Sequence, residues 1–181
     1  DLSAFYFDIR KDTLYCDSFN SKKRQSSLVL LNIILNALLK WFAPILSFTT
    51  EEIYQLVSKK KKSIHLENFL EIPKKFENLE LNKKWKELLK IRDICNLSIE
   101  EKRASKEIGS SLEAKIFLKL NKEKIKILEG IDLSELCITS SSEIQLNDTD
   151  KIEVQTVRAK GNKCSVCWKI SEKPCSRHGH K

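Results

Sequence analysis

The sequence predicts a mainly α-helical fold: a bundle of helices, then a small α+β unit, then a short cysteine-rich knuckle. Three observations predict it. Apolar residues recur at intervals of three and four over positions 2–107, the interval shortens to two beyond Gly109, and three of the six cysteines fall in the last eighteen residues.

The helices come first. Leu2, Phe5, Tyr6 and Ile9 share one face, which predicts a helix, or the end of one, over residues 1–11. The polar stretch 17–21 reads as a loop. Between Lys22 and Phe42, Leu28, Leu31, Ile34, Leu35, Leu38 and Phe42 keep helical spacing, while Leu30, Ile33 and Leu39 widen the stripe. A helix apolar on most sides is expected inside a bundle. Pro44 stops it. Thr49 three residues before Glu52 reads as a capping box for the next helix, whose short face is Ile53, Tyr54, Leu56 and Val57. The run Lys59–Lys62 reads as a solvated turn, with 63–73 extended. A long helix over 82–107 carries Trp85, Leu88, Leu89 and Ile99 inward. Helices joined by short loops make a bundle of roughly four.

The α+β unit follows. Ala114, Ile116, Leu118 and Leu120 alternate with Lys115, Phe117 and Lys119, the repeat of a half-buried strand. A short helix over 122–128 is closed by Gly130, and 136–139 and 151–157 read as further strands. The expected domains are therefore 1–108 (helical bundle), 109–160 (α+β unit) and 161–181 (knuckle tail).

Charge is uneven. The chain carries +8, of which residues 151–181 contribute +6 through eight basic and two acidic groups. A compact basic tail on a nearly neutral body suits a polyanion, because neutralising phosphates releases counterions. For the dispersed lysines a solvated surface is the simpler reading. No stretch has the roughly 18 unbroken apolar residues of a membrane span. The absence of Met and the opening in mid-helix are read as the end of a longer protein. Cys16, Cys95 and Cys137 stand alone among apolar or helical neighbours and read as buried thiols, which implies a reducing, cytoplasmic setting.

The tail reads Cys164-Ser-Val-Cys167 and Cys175-Ser-Arg-His178, two pairs with two residues between partners. Each tight turn aims two ligands at one point, and four such ligands close a tetrahedron around one Zn²⁺ with no open position, so the ion is expected to be structural. Free thiols or a disulfide are the bland alternative. His178 completes the repeat of spacing, and His180 is the competing fourth ligand.

Four segments carry a resemblance: the run from Asp1 to Asp12, Pro44-Ile-Leu-Ser-Phe-Thr-Thr-Glu-Glu-Ile-Tyr54, Lys106-Glu-Ile-Gly-Ser-Ser-Leu-Glu-Ala114 and Lys163-Cys-Ser-Val-Cys-Trp168. In that order, over essentially the whole chain, they resemble bacterial-type isoleucyl-tRNA synthetase. The resemblance implies a class I synthetase anticodon-binding helical bundle with a zinc tail. It also implies that the intact protein activates isoleucine with ATP and transfers it to tRNA(Ile). The family's catalytic and editing domains, with the His-Ile-Gly-His and Lys-Met-Ser-Lys-Ser motifs, are not among these residues, so no catalytic residue is expected here. The expected partners are the anticodon stem-loop of tRNA(Ile) and the catalytic domain in cis, in a monomer without a membrane role.

Anticodon bases are gripped by stacking on aromatic rings, while basic groups position phosphates. Trp168 is the candidate platform, or else a shield over the zinc turn. Arg10, Lys11, Lys22, Lys23 and Arg24, with Arg158, Lys160 and Lys163, are the candidate phosphate contacts from two sides of one groove. The sequence departs from the family where His178 stands in place of the usual cysteine, and where Val166 and Thr13 stand in place of common arginines. A zinc-bearing DNA-binding module of a glycosylase-like repair protein and a helical scaffold are the competing readings.

Overall fold

The computed structural model describes residues 2–58 and 62–179. Most of the Lys59–Lys62 run, and His180 with it, lies outside the described residues. Contacts divide the chain into two compact units, one made of Asp1–Cys16 with Asn78–Lys181 and the other of Asp17–Glu77.

The first unit opens with a π-helical run, Leu2–Phe7, that leads into α1 (Asp8–Cys16). The helix therefore runs past the expected Lys11, and it buries Ile9 and Thr13. α4 (Leu79–Ala104) starts at Asn78, whose side-chain oxygen accepts from the N–H of Leu81 at 2.9 Å. Leu88, Ile91, Cys95 and Ile99 make its buried stripe. Phe5 meets Trp85 edge-on, with centroids 5.9 Å apart. β1 (Ala114–Leu120) follows, then α5 (Lys122–Leu128), α6 (Leu133–Leu136), β2 (Ser141–Leu146) and β3 (Glu153–Arg158). β1 is the central strand, parallel to β2 and antiparallel to β3. The helices between β1 and β2 are the crossover that a parallel pair requires.

The alternation along β1 has the expected effect: Ala114, Ile116, Leu118 and Leu120 are fully buried and join the stripe of α4 with Leu128, Leu133 and Leu136 in one core. Each leucine or isoleucine among them contributes about 1.5–3 kcal/mol by leaving water. The strand expected at 136–139 is instead the last residue of α6 and the turn that follows it. Asp132 caps that helix by accepting from the N–H groups of Ser134 and Glu135, a local signal that outweighs the short apolar run.

The second unit holds α2 (Lys22–Phe42) and α3 (Ser47–Val57). α2 has the expected bounds. Its cap is Ser21, which accepts from Arg24 N–H. α3 begins two residues before Thr49, so the capping box does not form: its N-cap, Leu46, has no side-chain bond. Thr50 instead donates back to the Leu46 carbonyl at 2.9 Å. Glu51 accepts from the Ser63 hydroxyl and the Ile64 N–H, both at 2.9 Å, closing the loop after α3. The core is small, Leu39, Ala43, Tyr54 and Ile64. It covers only one face of α2, and Val29, Ile33 and Trp41 stay 62%, 45% and 50% exposed rather than enclosed in a bundle. α2 is also long and apolar enough, by length and composition alone, to cross a membrane, with mean hydropathy 1.3. Core helices of soluble proteins pass that test too, and Asn32 and Asn36 interrupt its apolar run.

A mainly helical first part, a small mixed sheet and a terminal Cys/His cluster are therefore all present. The helices expected to make one bundle divide differently, because α1 and α4 pack in the unit that contains the sheet, while α2 and α3 form the other unit.

Candidate metal centre

The tail is built on a two-stranded hairpin, β4 (Asn162–Lys163) and β5 (Ile170–Ser171). Gly161, at φ 114°, lets the chain enter it. A Cβ there would lie 2.2 Å from the Ser171 backbone, so no other residue fits without movement. The hairpin is fastened to the sheet unit through Ser140, whose hydroxyl accepts from the Ile170 N–H at 2.6 Å and donates to the Leu112 carbonyl.

The hairpin loop is the first knuckle. The Cys164 N–H donates to the Lys169 carbonyl at 2.9 Å, and the Trp168 N–H returns to the Cys164 carbonyl at 3.0 Å. The second knuckle repeats this turn, with the Gly179 N–H on the Cys175 carbonyl at 2.7 Å.

The two turns bring Cys164, Cys167, Cys175 and His178 together, with all four ligand atoms within 4.8 Å of one another. His178 Nδ1 lies 3.5 Å from Cys164 Sγ and 3.4 Å from Cys175 Sγ, and Cys167 Sγ lies 3.8 Å from Cys175 Sγ. A tetrahedron with Zn–S near 2.3 Å and Zn–N near 2.05 Å has S···N edges of about 3.55 Å and S···S edges of about 3.75 Å. The three measured edges, 3.5, 3.4 and 3.8 Å, match that tetrahedron, so these residues fit a metal ion of that size.

The tautomer follows from the outer bond. His178 Nε2 is 2.8 Å from the Cys16 carbonyl, an acceptor only, so Nε2 carries the proton and Nδ1 presents its lone pair to the sulfurs. The same carbonyl raises the pKa of the imidazole. The N–H groups of Cys167 and Val166 pull the Cys164 thiol down to about 6, which favours the thiolate that a metal requires. Burial pushes Cys167 up. Burial acts on Cys175 as well, but the N–H groups of Arg177 and His178 outweigh it and its thiol is lowered.

Trp168 is 59% exposed at φ 62°, with Lys163 Nζ 5.8 Å from its ring centroid. With Tyr15, Leu112, Ile138 and Val166 it lines an apolar cavity of about 370 Å³ beside α1. Of the expected phosphate contacts, Arg10 is bound to Glu135 at 2.8 Å and Lys11 to Asp8 at 2.8 Å. Arg158 stands 3.8 Å from Glu113 but is 67% exposed, and Lys160 is exposed. Lys22, Lys23 and Arg24 belong to the other unit, where Arg24 lies over the Phe19 ring at 4.4 Å. Thr13 is buried at 2% exposure, and Val166 is 43% exposed. Cys95 and Cys137 are core thiols as expected, but Cys16 is only half-buried.

Sequence reasoning missed Asp12, Tyr15, Cys16 and Arg177 as neighbours of the centre. No local pattern announces contacts across some 160 positions, although Arg177 sits beside a ligand.

Residues 1–118 match the family described as anticodon-binding domain of tRNA ligase. The isoleucine–tRNA ligase of Pelagibacter ubique (strain HTCC1062) is 63% identical over 178 residues, 98% of this chain and 20% of that protein. Those of Bartonella quintana (strain Toulouse) and Gluconobacter oxydans (strain 621H) are 39% and 41% identical over 95% and 94% of this chain, and 19% and 18% of those proteins. The chain thus spans about a fifth of the length of these relatives.

Proposed function

Since the chain belongs to the anticodon-binding domain family of tRNA ligases, we propose that it serves an isoleucine–tRNA ligase by gripping the anticodon stem-loop of tRNA(Ile). The observation that carries this reading is the family match over 1–118 continued by a Cys3His centre in the tail of the same chain. Charging of tRNA with isoleucine at the expense of ATP belongs, on this reading, to the whole cytoplasmic, monomeric ligase. The uncovered apolar face of α2 is then a surface for the rest of that protein, since exposed patches of this kind are contact sites.

One Zn²⁺ is the ion proposed for the centre. Three thiolates and an imidazole at tetrahedral spacing suit zinc over harder cations, and a closed ligand set leaves no position for a reacting water. When bound, the ion supplies a cross-link between two turns too short to build a core of their own.

The tail then presents Trp168 to an unstacked anticodon base. Arg158, Lys160 and Lys163 position the adjoining phosphates, with Lys11 and the Lys22–Arg24 cluster contributing further charge. Arg10 is committed to Glu135 and acts as scaffold.

Filter binding of the zinc-loaded chain to tRNA(Ile), to duplex DNA of equal charge and to a blank filter tests the reading. Preference for tRNA is expected. Preference for the duplex would favour a glycosylase-like module, and binding to neither would leave a scaffold.

A further inference from the structure

We propose that His178 and Arg177 tie the metal centre to the last turn of α1, so that metal binding fixes the wall of the cavity beside Trp168. This rests on the metal reading above and goes beyond it, because it assigns the histidine a second duty.

Cys16 is the last residue of α1, and its carbonyl is among those a helix end leaves without an intrahelical partner. His178 Nε2–H fills it at 2.8 Å from 162 positions away. Next to it in the chain, Arg177 spans both oxygens of Asp12, with Nη1 to Oδ2 and Nη2 to Oδ1 each at 2.8 Å. The Arg177 and Asp12 side chains are 31% and 26% exposed, so this forked pair is shielded from much of the solvent. Asp12 and Cys16 are four apart and lie on one helix face. Two consecutive tail residues therefore grip two successive levels of α1. A third contact comes from the first knuckle, where the Cys16 thiol lies 3.6 Å from the Val166 carbonyl.

Ligating histidines commonly hold their outer N–H on a carbonyl, which orients the ring and makes it a better donor. Here that carbonyl belongs to a distant helix, so the outer bond is also a tether. A cysteine in place of His178 supplies a fourth ligand but no outer N–H. The cavity of about 370 Å³ has Asp12, Tyr15 and Cys16 on one side and Val166 and Trp168 on the other. Its width is set by whatever holds those two sides together.

The test is amide hydrogen exchange of this chain with and without Zn²⁺, read by mass spectrometry over 12–17 and over 163–179, alongside zinc stoichiometry. In the parent chain zinc slows exchange in both segments. In His178→Cys one zinc per chain is retained and 163–179 stays slow, while the slowing over 12–17 falls at least about twofold. Arg177→Gln keeps all four ligands, so it covers the case in which the cysteine variant fails to fold. It still binds one zinc, with less slowing over 12–17. Zinc that slows 12–17 equally in the parent chain and the variants overturns the tether, as does zinc that leaves 12–17 unchanged in the parent. A parent chain that takes up no zinc is a different result, seen in the stoichiometry, and removes the metal reading together with the tether.

Discussion

Trp168 and Gly179 hold the same place in the two halves of the Cys/His centre: each follows the second ligand of its pair, at φ 62° and 63°. A glycine adopts that left-handed conformation freely, whereas for a side chain as large as tryptophan it is strained by roughly 1–2 kcal/mol. Strain of this sort collects at functional positions. Trp168→Gly should therefore keep zinc at undiminished affinity and weaken binding of the anticodon stem-loop by about 1–3 kcal/mol, the worth of one stacked base. Titration calorimetry with each ligand checks both halves. Loss of zinc with unchanged RNA binding would make the ring a shield for the metal turn.

The position of Gly179 also bears on the ligand set, since its N–H closes on the Cys175 carbonyl the turn that holds His178 against the sulfurs. Elemental analysis after dialysis should find one zinc per chain in the parent and in His180→Ala, and much less than one in Cys175→Ala and His178→Ala. Full retention in both of the latter would contradict the site.

Arg158, Lys160 and Lys163 lead into the hairpin on the strand side of the tail. Neutralising all three should flatten the dependence of log K on log salt by about one unit for each phosphate contact removed. Fluorescence anisotropy over a salt series measures the slope. An unchanged slope would take these residues out of the interface.

Asp132 is a fold-level test. Burial acts to raise its carboxyl, but the Ser134 hydroxyl and the N–H groups of Glu135 and Ser134 outweigh it and hold the pKa below the ordinary 3.8. A lowered carboxyl adds stability that is full above its unfolded pKa and is lost as pH falls through the folded one. Asp132→Ala should cost about 0.5–2 kcal/mol near neutral pH, the worth of a helix cap. Thermal melts should show that deficit shrinking below pH 4. Asp132→Asn, which keeps an acceptor, should lose less.

The periodic elements were legible because their signals are local. The alternation of β1 and the bounds of α2 and α5 can be read directly from residue spacing, and so can the paired ligands of the tail. Two errors came from weighing one local signal against another: Thr49 and Glu52 resemble a capping box inside a helix already begun, and Asp132 marks a helix start that a short apolar run conceals. The remainder was out of reach for a different reason. That α4 packs on the sheet, and that Arg177 meets Asp12, depends on long-range packing that no residue spacing encodes. The choice between His178 and His180 was open on ligand spacing; His178 stands with the three cysteines, and His180 lies outside the described residues.

The central claim is that this chain reads an anticodon through a tail that a metal holds in shape. The most direct measurement is the affinity of the zinc-loaded and zinc-stripped chain for two stem-loops that differ only in their anticodon, one of them from tRNA(Ile). The account predicts tighter binding of the isoleucine stem-loop, and a preference that falls when zinc is removed. Equal affinity for both stem-loops, or a preference indifferent to zinc, would contradict it.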